Sequence, residues 1–356
     1  MKAAFYRLGD SYIGTKAFMK AIGLEPIYIP PPNKNMISEG VLNAPEFACY
    51  PFKVSLGMFF YALDQGAEVY IMPSPNNQLS CQLTDFAQVQ EYIVKKKGVK
   101  FDILRMNTLH PQRLLTKFKK YNPKLTLRQL TKALYLGRQK VLLLEQTEEC
   151  RRKIFLSEGK AKSELFKKKW LKKIDETNGV AELYSLGVQI GWDYSKYKKL
   201  DVDNMIKIGL IGDIYCLNEN AVNNNIYEKL LSMDVYVNQG IKFSNMLGGG
   251  LKLSMREMML QRKADAYLKH NIAVYAKETI KDAIRYAEHG YDGLIQIYPF
   301  NCMPEVTARN ILPKVSKDFN IPILYLAVDE QTGDAGFTTR LEAFVDLLKI
   351  RRKRSK

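Results

Sequence analysis

Short β-branched runs alternate with amphipathic stretches at both ends of this chain, and that alternation limits the folds open to it. In the N-terminal part AAFYRLG (3–9), EPIYIP (25–30), AEVYIMP (67–73) and FDILRM (101–106) read as strands. Helical spacing runs between them over 12–22, 52–65 and 85–97. The second of these is opened by Pro51 and carries Val54, Met58, Tyr61 and Ala62 as its apolar stripe. Strands that each return through a helix pair in parallel, and a parallel sheet is covered by helices on both faces. The pattern restarts with MIKIGLIGDIYC (205–216) and a helix over 223–232. It goes on through MDVYVNQ (233–239), YDGLIQIYPF (291–300) and IPILYLAVDE (321–330) to an amphipathic helix over 338–349. The expected fold class is α/β, with two Rossmann-like (flavodoxin-like) parallel-sheet domains and an intervening helical segment.

The stretch between the two patterns has helical spacing and no convincing strand, and its charged faces bear most of the lysine excess. The expected divisions are an N-terminal Rossmann-like domain over 1–110, a helical insertion or connector over 111–203, and a C-terminal Rossmann-like domain over 204–356. Ligands of such sheets bind beyond the carboxyl ends of the strands. The triplet Gly248–Gly250 lacks the GK[ST] ending of a phosphate loop and reads as a turn.

The formal charge is +17, and basic runs stand apart at 95–100, 117–124, 167–173 and 349–356. No helix-turn-helix, zinc-finger or RNP signature accompanies them, so nucleic acid is not an expected partner. They read as solvated helix faces, or as attraction for an anionic partner or phosphate ligand. The five cysteines and the lack of a leader-like apolar run imply a reducing, cytoplasmic setting. No window approaches the ~18 apolar residues of a membrane span. His110, His270 and His289 have no ligand-spaced neighbours, and no Ser-His-Asp or paired-carboxylate arrangement emerges.

Three cysteines share a position in the pattern. Cys49 stands shortly before the helix over 52–65, Cys81 between a strand and the helix that starts near Asp85, and Cys302 just past the strand YDGLIQIYPF. Each falls where strands end and helices begin, and there the helix N-terminus favours a thiolate. Cys216 ends the first strand of the second pattern, and Cys150 lies on a charged helix. No CxxC spacing names a metal, and a small buried hydrophobe is the competing reading for each thiol. Lys53 is either a surface lysine at a helix start or a counter-charge. Asp329, Glu330 and Arg340 are read as an ion pair beside a helix capped at Thr338.

The stretches APEFACYPFKVSLGMFFYALDQGAEVYIM (44–72), IGDIYCLNENAVNNNIYEKL (211–230), PFNCMPE (299–305) and LAVDEQTGDAGFTTRLEAFVDLL (326–348) resemble the 2-hydroxyacyl-CoA dehydratase and CoA-enzyme activase-related family. The resemblance implies two Rossmann-like domains with a [4Fe-4S] cluster at their junction, held by three cysteines. Carried over by motif, these metal ligands are Cys49 in CYPFK, Cys81 in the SCQ loop and Cys302 in NCMPE. At Cys81 this chain departs from the richer glycine, cysteine and arginine pattern of the family. Dehydratase members take one electron from an ATP-dependent activator supplied in trans and remove water from 2-hydroxyacyl-CoA thioesters by ketyl-radical chemistry. A homodimer or a paralogous subunit and an acyl-CoA substrate are further partners it implies. Two readings stay open: a lyase or ATP-coupled reductase component, and a non-catalytic accessory or electron-transfer subunit whose cluster site is intact or degenerate. Five cysteines disfavour a double cubane, which needs about six thiolates.

Overall fold

The computed structural model describes residues 1–73, 82–98, 100–106, 110–247, 255–270, 272 and 275–355. The chain forms two compact units. The first comprises Met1–Gln146, Trp170–Gln189 and Phe243–Gly249, and the second Thr147–Lys169, Ile190–Lys242 and Gly250–Lys356.

The first unit opens with β1 (Lys2–Phe5), α1 (Tyr12–Ala21), β2 (Glu25–Pro26), α2 (Lys34–Asn43), α3 (Tyr50–Asp64), β3 (Val69–Pro73), α4 (Gln82–Lys95) and β4 (Asp102–Met106). The four strands are parallel in the order β2-β1-β3-β4. The strand expected over 25–30 shrinks to Glu25–Pro26, because a proline gives no ladder donor and such a strand survives only at an edge. The helix α2 has no counterpart in the sequence reading. Its Asn33 cap accepts from the Met36 N–H at 3.0 Å. One face of the sheet buries Ala3, Phe5, Val69, Ile71 and Leu104 against Phe18, Met19 and Ile22 of α1.

The chain continues through α5 (Pro111–Phe118), α6 (Leu127–Glu158), α7 (Lys160–Glu176) and α8 (Val180–Tyr194), as the helical spacing of that stretch predicts. Within the first unit, Lys140 of α6 reaches the Asp175 carbonyl near the end of α7 at 2.9 Å, and Lys16 of α1 pairs with the Asp175 carboxylate. Within the second, Arg151 of α6 is buried and gathers Glu148, Glu164 and Glu228. Burial alone would raise the Glu148 carboxyl, but Lys167 and Arg151 overrule it and hold it down at about 2.

The chain then runs through β5 (Ile206–Gly212), α9 (Ile214–Asn218), α10 (Ile226–Ser232), β6 (Val235–Gln239), α11 (Phe243–Leu247), which belongs to the first unit, α12 (Met255–Asp265), α13 (Ala276–Glu288), β7 (Gly293–Pro299), α14 (Met303–Asp318), β8 (Ile323–Val328) and α15 (Asp334–Ser355). The order of the second sheet, β6-β5-β7-β8, is again all parallel and repeats that of the first sheet strand for strand. The central strand β7 is buried at every position, as covering on both faces requires.

Three boundaries differ from expectation. The strand read over 205–216 stops at Gly212, because Asp213 caps a new helix by accepting the Cys216 N–H at 2.9 Å, so Cys216 sits in α9 and not at a strand end. The helix read from Asn223 starts at Ile226, since Asn224 and Asn225 take left-handed backbone at φ 52° and 53°. The last helix starts at Asp334, so Thr338 lies inside it and donates back to the Asp334 carbonyl instead of capping. Gly248–Gly250 lies outside the described residues.

Candidate functional site

In both sheets the strand order reverses between the first and third strands of the unit, and the crevice beyond their carboxyl ends is where α/β sheets take ligands. In the first unit Cys49 is the N-cap of α3, with Pro51 one residue inside the helix, and it is only 5% exposed. In the second, Cys302 is the N-cap of α14, with Pro304 at the equivalent place, and it is 8% exposed. The two segments read Phe47-Ala48-Cys49-Tyr50-Pro51 and Phe300-Asn301-Cys302-Met303-Pro304. Each is an F-x-C-x-P motif whose thiol is covered and whose leading phenylalanine is exposed. Proline suits the first turn, where its missing N–H costs no hydrogen bond.

Strand topology relates Cys302 to a second cysteine. The helix between the third and fourth strands is α14 in the second unit and α4 in the first. The first opens directly after Cys302, and the second opens at Gln82, directly after Cys81. Cys81 itself lies outside the described residues. Among the described residues, which lack that cysteine, no three His, Cys, Asp or Glu side chains gather as ligands of one metal ion.

Backbone contact fixes the helix that carries Cys49. The helices α2 and α3 cross where Gly40 meets Gly57. A Cβ on Gly57 would stand 1.8 Å from the Met36 carbonyl oxygen, and one on Gly40 would stand 1.8 Å from that of Lys53. Ser55 of α3 accepts the Gln90 amide of α4 at 2.7 Å, which ties a second neighbour to it. Lys53, one turn in from Cys49, is buried and not a surface lysine.

Around Cys302 the strand-to-helix turn passes through Asn301 in left-handed backbone, φ 64°, and the Cys302 N–H donates to the Pro299 carbonyl at 3.1 Å. Gly212, at φ 122°, ends β5 where a Cβ would stand 2.1 Å from the Ile297 carbonyl oxygen, so only glycine fits there. One turn into α14, Glu305 points at the core. It accepts from the Thr279 hydroxyl of α13 at 2.8 Å and from the Gln296 amide of β7 at 2.9 Å. Burial pushes its carboxyl up to about 8 against those hydrogen bonds, and the nearby carboxyls of Asp213 and Asp282 push the same way. Burial likewise raises Asp282 to about 7, despite Arg285 beside it, and raises Asp213. Among the described residues none donates a hydrogen bond to the Gln296 Oε1. Sequence reading passed over Glu305 and Gln296. The available signal was a glutamine in the middle of GLIQIYP, an otherwise apolar central strand.

The remaining cysteines and charges fall elsewhere. Cys216 is fully buried in α9, and its carbonyl accepts from Asn223 at 2.8 Å. Cys150 is buried on α6, and burial pushes its thiol up to about 11. None of the four described cysteines forms a disulfide. Asp329 accepts from Thr332 and Gln331, and Arg340 donates to the Tyr325 carbonyl.

Two all-parallel sheets flanked by helices, each unit with a covered cysteine capping a helix, define an α/β protein of two Rossmann-like units. Residues 7–239 match the family model described as CoA enzyme activase uncharacterised domain (DUF2229). That is nearly two thirds of the chain, and the protein belongs to this family. The match takes in Cys49, Cys81 and β2 through β6, while β1 and Cys302 lie outside it. No curated protein matches the chain. No helix among the described residues is long and apolar enough to cross a membrane.

Proposed function

We propose that this CoA-enzyme activase-related chain is a component of the 2-hydroxyacyl-CoA dehydratase type. It carries one [4Fe-4S] cluster on Cys49, Cys81 and Cys302 and takes its electron from an ATP-hydrolysing activator in trans. The observation that carries this reading is the repeated F-x-C-x-P helix start, which sets a covered cysteine at the positive end of a helix in each unit. The donor set suits the group, because thiolates are the ligands that hold iron–sulfur clusters. A cluster held by three thiolates supplies one-electron transfer and one iron open to a Lewis-basic oxygen.

The chain's own residues prepare for such a charge. The macrodipoles of α3 and α14 favour thiolate over thiol at their N-caps. Buried Lys53 adds a positive charge one turn from Cys49. The Gly40–Gly57 crossing holds the α3 start against rotation, and the covering of both thiols keeps water from their sulfurs. Family membership supports a CoA-dependent enzyme as working partner.

Purification without oxygen, with iron and sulfide analysis, tests the proposal. A brown protein with about four irons per chain is expected. Cys49→Ala, Cys81→Ala and Cys302→Ala are each expected to lose the colour and the iron while circular dichroism stays unchanged. Full iron content in Cys49→Ala or Cys302→Ala would overturn the assignment.

A further inference from the structure

The helix α8 has a buried face and still turns large apolar side chains outward. Leu183, Leu186 and Ile190 are buried on its inner side. Tyr184, Val188 and Trp192 follow one another at four-residue steps on the other side and are 78%, 69% and 68% exposed. From Leu183 to Trp192 there is no charged residue, in a chain of formal charge +17. The preceding helix α7 shows the contrast, with exposed lysines at 168, 169, 172 and 173.

The stripe is symmetric about Val188. Tyr184 and Trp192 stand four residues to either side, about 6 Å along the axis each way, and the small Ser185 and Gly191 stand three residues to either side. No other described residue comes within 4 Å of where a Gly191 Cβ would be, so nothing within the chain requires the glycine, which weakens a helix interior relative to alanine. The Ser185 hydroxyl donates to the Glu182 carbonyl at 2.8 Å and brings no unmet donor to a covered surface. The Lys196 ammonium lies 4.1 Å from the ring centre of Trp192 and steadies the exposed indole.

We propose that this face of α8 is a dimer interface whose occupant is α8 of a second copy of the chain, the two helices antiparallel about a two-fold axis through Val188. Such an axis brings each residue level with the one equally far on the other side of Val188. Trp192 then packs over the partner's Ser185, and Tyr184 fills the open space at the partner's Gly191. At the rim, Glu182 is in no ion pair among the described residues, and Lys196 shares its acid Asp193 with Lys169. Helical spacing sets Glu182 on the same side and at nearly the same height as the partner's Lys196, so the rim charges are complementary. A lysine face such as that of α7 would set like charges against each other instead. Four aromatic rings of roughly 150–250 Å² each bring about 600–1,000 Å² to the contact, the size of a reversible complex.

Sedimentation velocity of the purified full chain over roughly 1–300 µM tests the pairing. The wild type is expected to pass from monomer to dimer across that range. Trp192→Ala removes the largest anchor, and Val188→Glu and Val188→Lys each set a charge against its own twin; all three are expected to weaken the dimer by at least about tenfold. An equal mixture of the Val188→Glu and Val188→Lys chains brings opposite charges together at the axis and is expected to recover the dimer. Leu42→Ser removes an exposed leucine from α2 and is expected to change nothing. A wild type that stays monomeric at the top of the range would overturn the pairing and leave the stripe to a different protein. A mixture no more dimeric than either variant alone would overturn it too, as would equal weakening by Leu42→Ser.

Discussion

Replacing Glu305 by glutamine removes a proton-binding equilibrium from the core of the second unit, and the effect on stability has a definite sign. In the folded chain the Glu305 carboxyl is pushed up to about 8 from an ordinary value of 4.5. Below pH 4.5 folded and unfolded chains both hold the proton, and the stabilisation it brings is fully present. Between 4.5 and 8 only the folded chain holds it, so stability falls as pH rises, by about 1.4 kcal/mol per pH unit. Over the whole interval the loss amounts to about 5 kcal/mol and is complete once pH passes the folded value. Glutamine does not titrate and can still accept from Thr279; its amide nitrogen replaces the oxygen that accepts from Gln296, and a flip of the Gln296 amide turns its Oε1 to meet the new donor. Asp213 and Asp282 are present in both proteins, and their repulsion of the Glu305 carboxylate is part of what raises it. Urea unfolding at pH 5, 6, 7 and 8 is the assay. The stability of Glu305→Gln relative to wild type should grow steadily with pH, by about 4 kcal/mol over those three units. Parallel profiles would show that Glu305 ionises as an ordinary surface acid, and the account of this buried cluster would fail.

Gly57→Ala drives a Cβ into the Met36 carbonyl, so α2 and α3 must part; a loss on the order of 3 kcal/mol is expected. A thermal midpoint within a degree of wild type would contradict the close crossing. Arg151→Met leaves Glu148 and Glu228 without their buried partner and is expected to cost about 3–5 kcal/mol at neutral pH. Because Glu148 is held down at about 2, its contribution is present above pH 4.5 and is lost as pH falls toward 2. The gap between Arg151→Met and wild type should therefore narrow in acid, and chemical denaturation at pH 7 and pH 3 checks it.

The α/β class and both parallel sheets were legible because central strands such as IKIGLIG and GLIQIYP are apolar on both faces, and little else in a soluble chain reads that way. Boundaries went astray where a short polar side chain competes with the ladder: Asp213 ended β5 early, and the asparagines at 224 and 225 delayed α10. The helix α2 escaped notice because its apolar positions are few and its role is to bring Gly40 against Gly57, a tertiary fact with no local periodicity. At the site, the cysteines were found from their place between strands and helices. The shared F-x-C-x-P frame became visible only once both segments proved to be helix starts. Glu305 carries no sequence signal of its own, since its meaning comes from Thr279 and Gln296, brought in by other elements.

Ser244 hydrogen-bonds the Glu145 carboxylate through its N–H at 2.9 Å and its hydroxyl at 2.6 Å, and both residues belong to the first unit. The ribosome makes Ser244 only after it has made β5 and β6. The first unit therefore gains this contact only after two strands of the second have been synthesised, so the pair joins it late in synthesis. Severing the polypeptide just ahead of β5 would leave Glu145 on one fragment and its clasp on the other, so the halves should be recovered by co-expression sooner than apart.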